Sequence, residues 1–200
     1  MMEGISRHLS SRATWMVVAM VIVSACGSRR PAPVAASTAP TPARVLPLAR
    51  VIVLETSGPA PSDTSVSFAA GTPRTIVVRH GPPENIIFAR LVFSGGAFAD
   101  SGQLVTVEVK PRPGVYGLDL ATSKPIRGAA SVIFDYSRYF SAPGKARQVY
   151  RSDGAFERAL AIGRMLSDND IELLPSRRPE LDQVSAPIAT PGGYLLAAPQ

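Results

Sequence analysis

Leu104-Val105-Thr106-Val107-Glu108-Val109-Lys110 is the stretch that sets the fold class. Val105, Val107 and Val109 alternate with Thr106, Glu108 and Lys110. A period of two places β-branched apolar side chains on one face of a strand and polar ones on the other. Pro111, Pro113 and Gly114 end the run, because proline cannot donate to a strand ladder. Working outward, short apolar runs recur between turn residues. Upstream, Arg50–Glu55 (RVIVLE), Ser65–Phe68, Thr75–Arg79 and Ile86–Phe93 (IIFARLVF) are rich in β-branched and aromatic residues. Gly58-Pro59, Pro61-Ser62-Asp63, Gly81-Pro82-Pro83 and Gly95-Gly96 punctuate them.

Downstream, Val115–Leu120, Ala130–Tyr136, Ile171–Leu174, Gln183–Ile188 and Tyr194–Ala197 continue the series. In the second of these, Val132, Phe134 and Tyr136 share a face. Residues 153–166 read two ways. Phe156, Leu160 and Gly163 fit a helical stripe, with no capping box ahead of them. Ala159–Leu166, running into a Ser167-Asp168-Asn169-Asp170 turn, fits a strand, and the strand is preferred. Many short strands at this spacing predict an all-β, antiparallel β-sandwich over residues 49–200.

Composition agrees. The chain has 200 residues, 46% of them hydrophobic, so it can bury a core. Its 19 prolines and 16 glycines disfavour long helices. The net charge of +6 is carried by scattered arginines, and only Arg29-Arg30 and Arg177-Arg178 are adjacent. A clustered basic footprint of the kind that grips nucleic acid is not predicted. Cys26 is the only cysteine, so the fold contains no intramolecular disulfide.

The N-terminal residues give an address. Arg7, His8 and Arg12 precede the apolar run Ala13–Val23 (ATWMVVAMVIV), which has the length of a signal-peptide core and is short for a membrane span. Val23-Ser24-Ala25-Cys26 follows directly. This tetrapeptide resembles the lipobox of bacterial lipoproteins, with Val23 where leucine is commoner. The resemblance implies diacylglycerol on the Cys26 thiol and cleavage of residues 1–25. It also implies a protein held to the membrane through the lipid on Cys26. Gly27 stands where an aspartate often marks inner-membrane retention, so the outer membrane is expected over the inner. Residues 26–48, rich in Pro, Ala, Ser and Thr, read as a flexible tether. Polyproline-like chain extends about 3.1 Å per residue, so the tether spans several tens of ångströms.

A second resemblance covers roughly residues 86–197. Leu91-Val92-Phe93-Ser94-Gly95-Gly96-Ala97-Phe98, then Val105–Val109, Gly114-Val115-Tyr116, Pro125-Ile126, the strand of Val132, Phe134 and Tyr136, and the closing Gly193-Tyr194-Leu195-Leu196 carry it. Their order is similar to the β-sandwich domain shared by zonula occludens scaffolds, netrin receptors and ankyrins. The resemblance implies a non-enzymatic interaction or spacer module whose terminal Gly-Tyr packs the last strand. Ser137–Arg151 departs from the pattern as an insertion.

Candidate chemistry is sparse. His80 is the only histidine after residue 25, and no G-x-S-x-G elbow accompanies it. One histidine and one cysteine cannot supply a zinc set, and no cofactor is expected. Asp168, Asp170 and Glu172 alternate like the start of a calcium loop, but Leu173 stands where its glycine belongs. One aromatic-basic cluster, Tyr136, Arg138, Tyr139 and Phe140 (YSRYF), has the composition of a contact surface and is the candidate interface. The expectation is a non-enzymatic, lipid-anchored envelope module that binds an envelope protein or polysaccharide or acts as a spacer. The alternative is an envelope hydrolase acting on cell-wall polymer.

Overall fold

The computed structural model describes residues 43–200. The expected leader, Cys26 and the expected tether as far as residue 42 lie outside the described residues. In chain order the strands are β1 (Arg44–Pro47), β2 (Val51–Val53), β3 (Thr64–Ala69), β4 (Arg74–Arg79), β5 (Ile87–Phe93) and β6 (Leu104–Pro111). β7 (Gly117–Thr122) and β8 (Ala130–Asp135) follow, then helices α1 (Gly144–Val149) and α2 (Asp153–Ala159). β9 (Ala161–Met165), β10 (Asp170–Leu173), β11 (Gln183–Pro187) and β12 (Gly192–Pro199) complete the set.

Every strand pairing is antiparallel. The large sheet runs β1-β10-β9-β12-β7-β6-β3, with β2 also paired to β12, and the small sheet runs β11-β8-β5-β4. Their facing side chains make one core, which establishes the antiparallel sandwich. Val105, Val107, Val109, Leu118, Leu120, Tyr194 and Leu196 from the large sheet meet Ile76, Val78, Leu91, Phe93, Val132, Phe134 and Val184 from the small one. The alternation of β6 is the cause: its three valines are fully buried while Glu108 and Lys110 face solvent. Register shifts once between β4 and β5, where Val78 pairs with Ala89 but Arg79 with Ile87. The extra residue of this bulge, Phe88, is buried along with Ala89.

The other face of the large sheet carries a second apolar cluster of Val51, Ala161, Ile171, Leu173, Leu195 and Ala197. Residues 44–53 bridge it. β1 pairs with β10 and β2 pairs with β12, the two strands that flank β9. A 3-10 turn at Leu48–Arg50 joins them, and Leu46, Leu48 and Val53 pack against the cluster. Gly163 on β9 makes the packing possible, because a Cβ there would fall 2.3 Å from Ile171 Cδ1.

Two features differ from the sequence expectation. The fold starts at Arg44, inside the segment expected to be tether, because main-chain pairing to β10 and the apolar Leu46 hold an edge strand there. Residues 153–166 are neither all strand nor all helix. Ser152 caps α2 by accepting a hydrogen bond from the Ala155 amide at 3.1 Å, and the chain turns at Leu160 into β9. The Ser137–Arg151 insertion contains α1.

Candidate functional site

The sequence candidates separate in space. Tyr136, at the end of β8, is buried. Its hydroxyl donates toward Glu157 Oε1 (3.1 Å) and the Leu181 carbonyl (3.2 Å), and accepts from Arg178 Nη1 (2.6 Å). Burial raises its phenol ionisation well above the ordinary value, with the Arg178 charge opposing. Phe140 packs on Tyr136 and on Phe156 of α2, with ring centroids 5.7 and 6.3 Å apart. These two residues join the helical insertion to the sandwich. Of the four, Arg138 is exposed, Tyr139 and Phe140 are half-buried, and Tyr136 offers no surface.

Tyr139 instead leads to His80. Their rings lie 4.9 Å apart, and the Tyr139 hydroxyl donates to Glu84 Oε2 at 2.5 Å, which raises its ionisation. His80 is 1% exposed and is also packed by Phe88 and Tyr116 at centroid distances of 5.2 and 6.2 Å. Its Nδ1 pairs with the Pro59 carbonyl at 2.8 Å, while Nε2 is buried with no hydrogen-bond partner among the described residues. A Cβ at Gly58 would lie 2.5 Å from the Tyr139 ring and 2.9 Å from His80 Cε1. The loop therefore closes over both rings because position 58 has no side chain. The Tyr116 hydroxyl is likewise buried without a partner; burial pushes its phenol up to about 12. Thr56 opposes that rise, yet it stands outside hydrogen-bonding geometry with Tyr116. With its imidazole sealed from solvent, His80 holds a loop in place and has no route to a substrate atom in this conformation.

Asp168, Asp170 and Glu172 do not converge on a cation. The Ser167 hydroxyl accepts from the Asn169 and Asp170 amides at 3.2 and 3.1 Å, forming the β9–β10 turn. Glu172 pairs with Arg164 at 2.7 Å. Among the described residues no group of three or more His, Cys, Asp or Glu side chains could hold a metal ion.

A concave surface lies elsewhere, on the small sheet where β8 meets β11. Ala130, Ser131, Pro175, Arg177, Ser185, Ala186 and Pro187 line a groove of about 350 Å³. Its rim is fixed by three consecutive residues, each tied to a different element. Ser176 is buried, and its hydroxyl accepts from the Ile162 amide of β9 at 2.9 Å. Arg177 exchanges both main-chain hydrogen bonds with Ser185 of β11, each at 2.8 Å. Arg178 reaches Tyr136 and also donates to the Glu157 carbonyl of α2. The Arg177 side chain is exposed, and its guanidinium makes no ion pair or hydrogen bond among the described residues. Asp135 and Glu180 both accept from Gln183 Nε2, at 3.2 and 3.1 Å. Sequence reasoning noted Arg177 only as half of an arginine pair. Nothing local links it to Ser131 or Ser185, which two different strands supply.

No protein-family model matches the chain, and no curated protein or solved structure matches it.

Proposed function

We propose that the chain is a bacterial lipoprotein, anchored in the cell envelope through Cys26, in the outer membrane rather than the inner. Its β-sandwich binds another envelope component, a protein or polysaccharide, or spaces components apart. The observation that carries this reading is the placement of Cys26 directly behind Ser24-Ala25 and the apolar run Ala13–Val23. Two or more acyl chains give stable anchoring where one is marginal. The likeness of residues 86–197 to the sandwich of zonula occludens scaffolds, netrin receptors and ankyrins belongs to the same proposal, as a non-enzymatic module.

The site geometry favours binding over the hydrolase alternative. A hydrolase needs a proton-transfer group open to its polymer. His80 is walled in by Phe88, Tyr116 and Tyr139, and the groove lining contains neither carboxylate nor imidazole. Expression in a bacterium fed radioactive palmitate tests the anchor. The wild-type chain is expected to take up label and fractionate with membranes, while Cys26→Ser stays unlabelled and unprocessed. Normal labelling of Cys26→Ser would sink the proposal.

A further inference from the structure

We infer that the groove beside Arg177 binds the free carboxylate of a small apolar acid or peptide end. The inference rests on the binding half of the reading above and supplies its ligand class. Three observations carry it. The first is charge: the lining contains one cation and no carboxylate. The second is preorganisation. The Arg177 main chain is bonded to Ser185 on both its amide and its carbonyl, and its neighbours Ser176 and Arg178 are tied to β9 and to α2. A guanidinium on so fixed a backbone loses less freedom on binding than one on a loose loop. The third is the lining itself. Ser131 and Ser185 face the same side as the guanidinium, the Ser185 hydroxyl donating to the Arg177 carbonyl at 3.5 Å, and Pro175 and Pro187 supply a small apolar border.

A planar guanidinium matches a carboxylate through two parallel N–H donors. A single positive charge balances a monoanion better than a phosphate dianion, which calls for more donors. The volume sits at the low end of ligand sites, so the apolar part is methyl-sized rather than aromatic or lipidic.

The test uses the full chain in detergent micelles and saturation-transfer NMR on two probes, acetyl-alanyl-alanine and its carboxamide. The carboxylate is expected to saturate in the low millimolar range and the amide to bind at least about tenfold more weakly. Arg177→Gln should bring the carboxylate down to the amide's level, and Arg177→Lys, which keeps the charge but not the fork, should fall between them. Ser131→Leu fills the groove from the opposite strand and should abolish binding with Arg177 intact. Circular dichroism melting of each variant reports that the fold is kept. Equal binding of the amide, unchanged binding by Arg177→Gln, or no saturation by about 10 mM overturns the inference. Full competition by equimolar inorganic phosphate also overturns it, by assigning the groove to any anion. Palmitate labelling of Cys26 is independent of every one of these outcomes, so failure of the ligand class and failure of the anchor are separately visible.

Discussion

Gly163→Ala sets two opposed effects against each other, and the structure decides which wins. Replacing a strand glycine with alanine ordinarily stabilises by about 0.4–1 kcal/mol, because the unfolded chain loses freedom. At position 163 the new methyl falls 2.3 Å from Ile171 Cδ1, 2.6 Å from Ile171 Cγ1 and 3.3 Å from Leu173 Cδ2. Ile171 is fully buried beneath the 44–53 segment and cannot swing into solvent. Overpacking of this kind costs about 1–3 kcal/mol. The balance is a loss of roughly 0.5–2 kcal/mol, or about 1–8 °C in Tm for a chain of this size. Ile171→Ala alone leaves a cavity and costs about 2–5 kcal/mol. In the double variant the added methyl occupies part of that cavity, so its cost should fall at least about 1 kcal/mol short of the sum. Urea unfolding of all four proteins, followed by far-ultraviolet circular dichroism, closes the cycle. A Gly163→Ala protein that melts higher than wild type, or costs that simply add, would falsify the packing account of the second cluster.

Two buried tyrosines should respond oppositely to loss of their hydroxyls. Tyr136→Phe strips a charged network from Arg178 and Glu157 and is expected to cost about 1.5–3 kcal/mol. Tyr116→Phe removes an unpartnered buried hydroxyl, so it leaves stability unchanged or raises it by up to about 1–2 kcal/mol. Matching losses in denaturant melts would contradict both hydrogen-bond assignments. Alkaline titration gives a further check, since all five tyrosines are shifted upward. A raised folded-state value means the native protein holds protons that the unfolded chain has released, so stability is full below about pH 10 and falls as pH climbs beyond it. For Tyr116, shifted to about 12, the contribution lost is about 2–3 kcal/mol. Near-ultraviolet tyrosinate absorbance should therefore lag behind free tyrosine and rise with loss of sheet. A complete five-tyrosine transition near pH 10 with native dichroism intact would reject those shifts.

Much of the fold was legible because burial on one side of a sheet leaves a period-two signature. Val105, Val107 and Val109 read as a core face and are one. Leu91 and Phe93, and Val132 and Phe134, behave alike. What local pattern could not show was pairing between distant segments. Arg44–Pro47 is too short to show a period and is bracketed by prolines and alanines, so its pairing to the edge of β10 was not visible locally. Asp153–Ala159 is a short helix whose signals are the Ser152 cap and the Phe156–Leu160 spacing, and the strand pattern that begins at Ala161 masked it. The site was less legible still. Tyr136 and Phe140 have interface composition but are spent joining α2 to the sandwich. The groove draws Ser131, Arg177 and Ser185 from three segments that the β8–β11 register and the Arg177–Ser185 bridge bring together.

The straddling path of residues 44–53 has a mechanical consequence. Tension entering at Arg44 meets the four-pair ladder of β1 with β10 first, at the rim of the large sheet. The three pairs of β2 with β12 stand next in line. Ile52 of β2 and Leu54 just after it are buried in the main core, so the load reaches the interior as β2 parts. The β1 ladder is thus placed to act as a strap that yields before the sandwich does. Single-molecule stretching from Arg44 reads that order directly: a short early release ahead of the main rupture is the outcome this geometry requires.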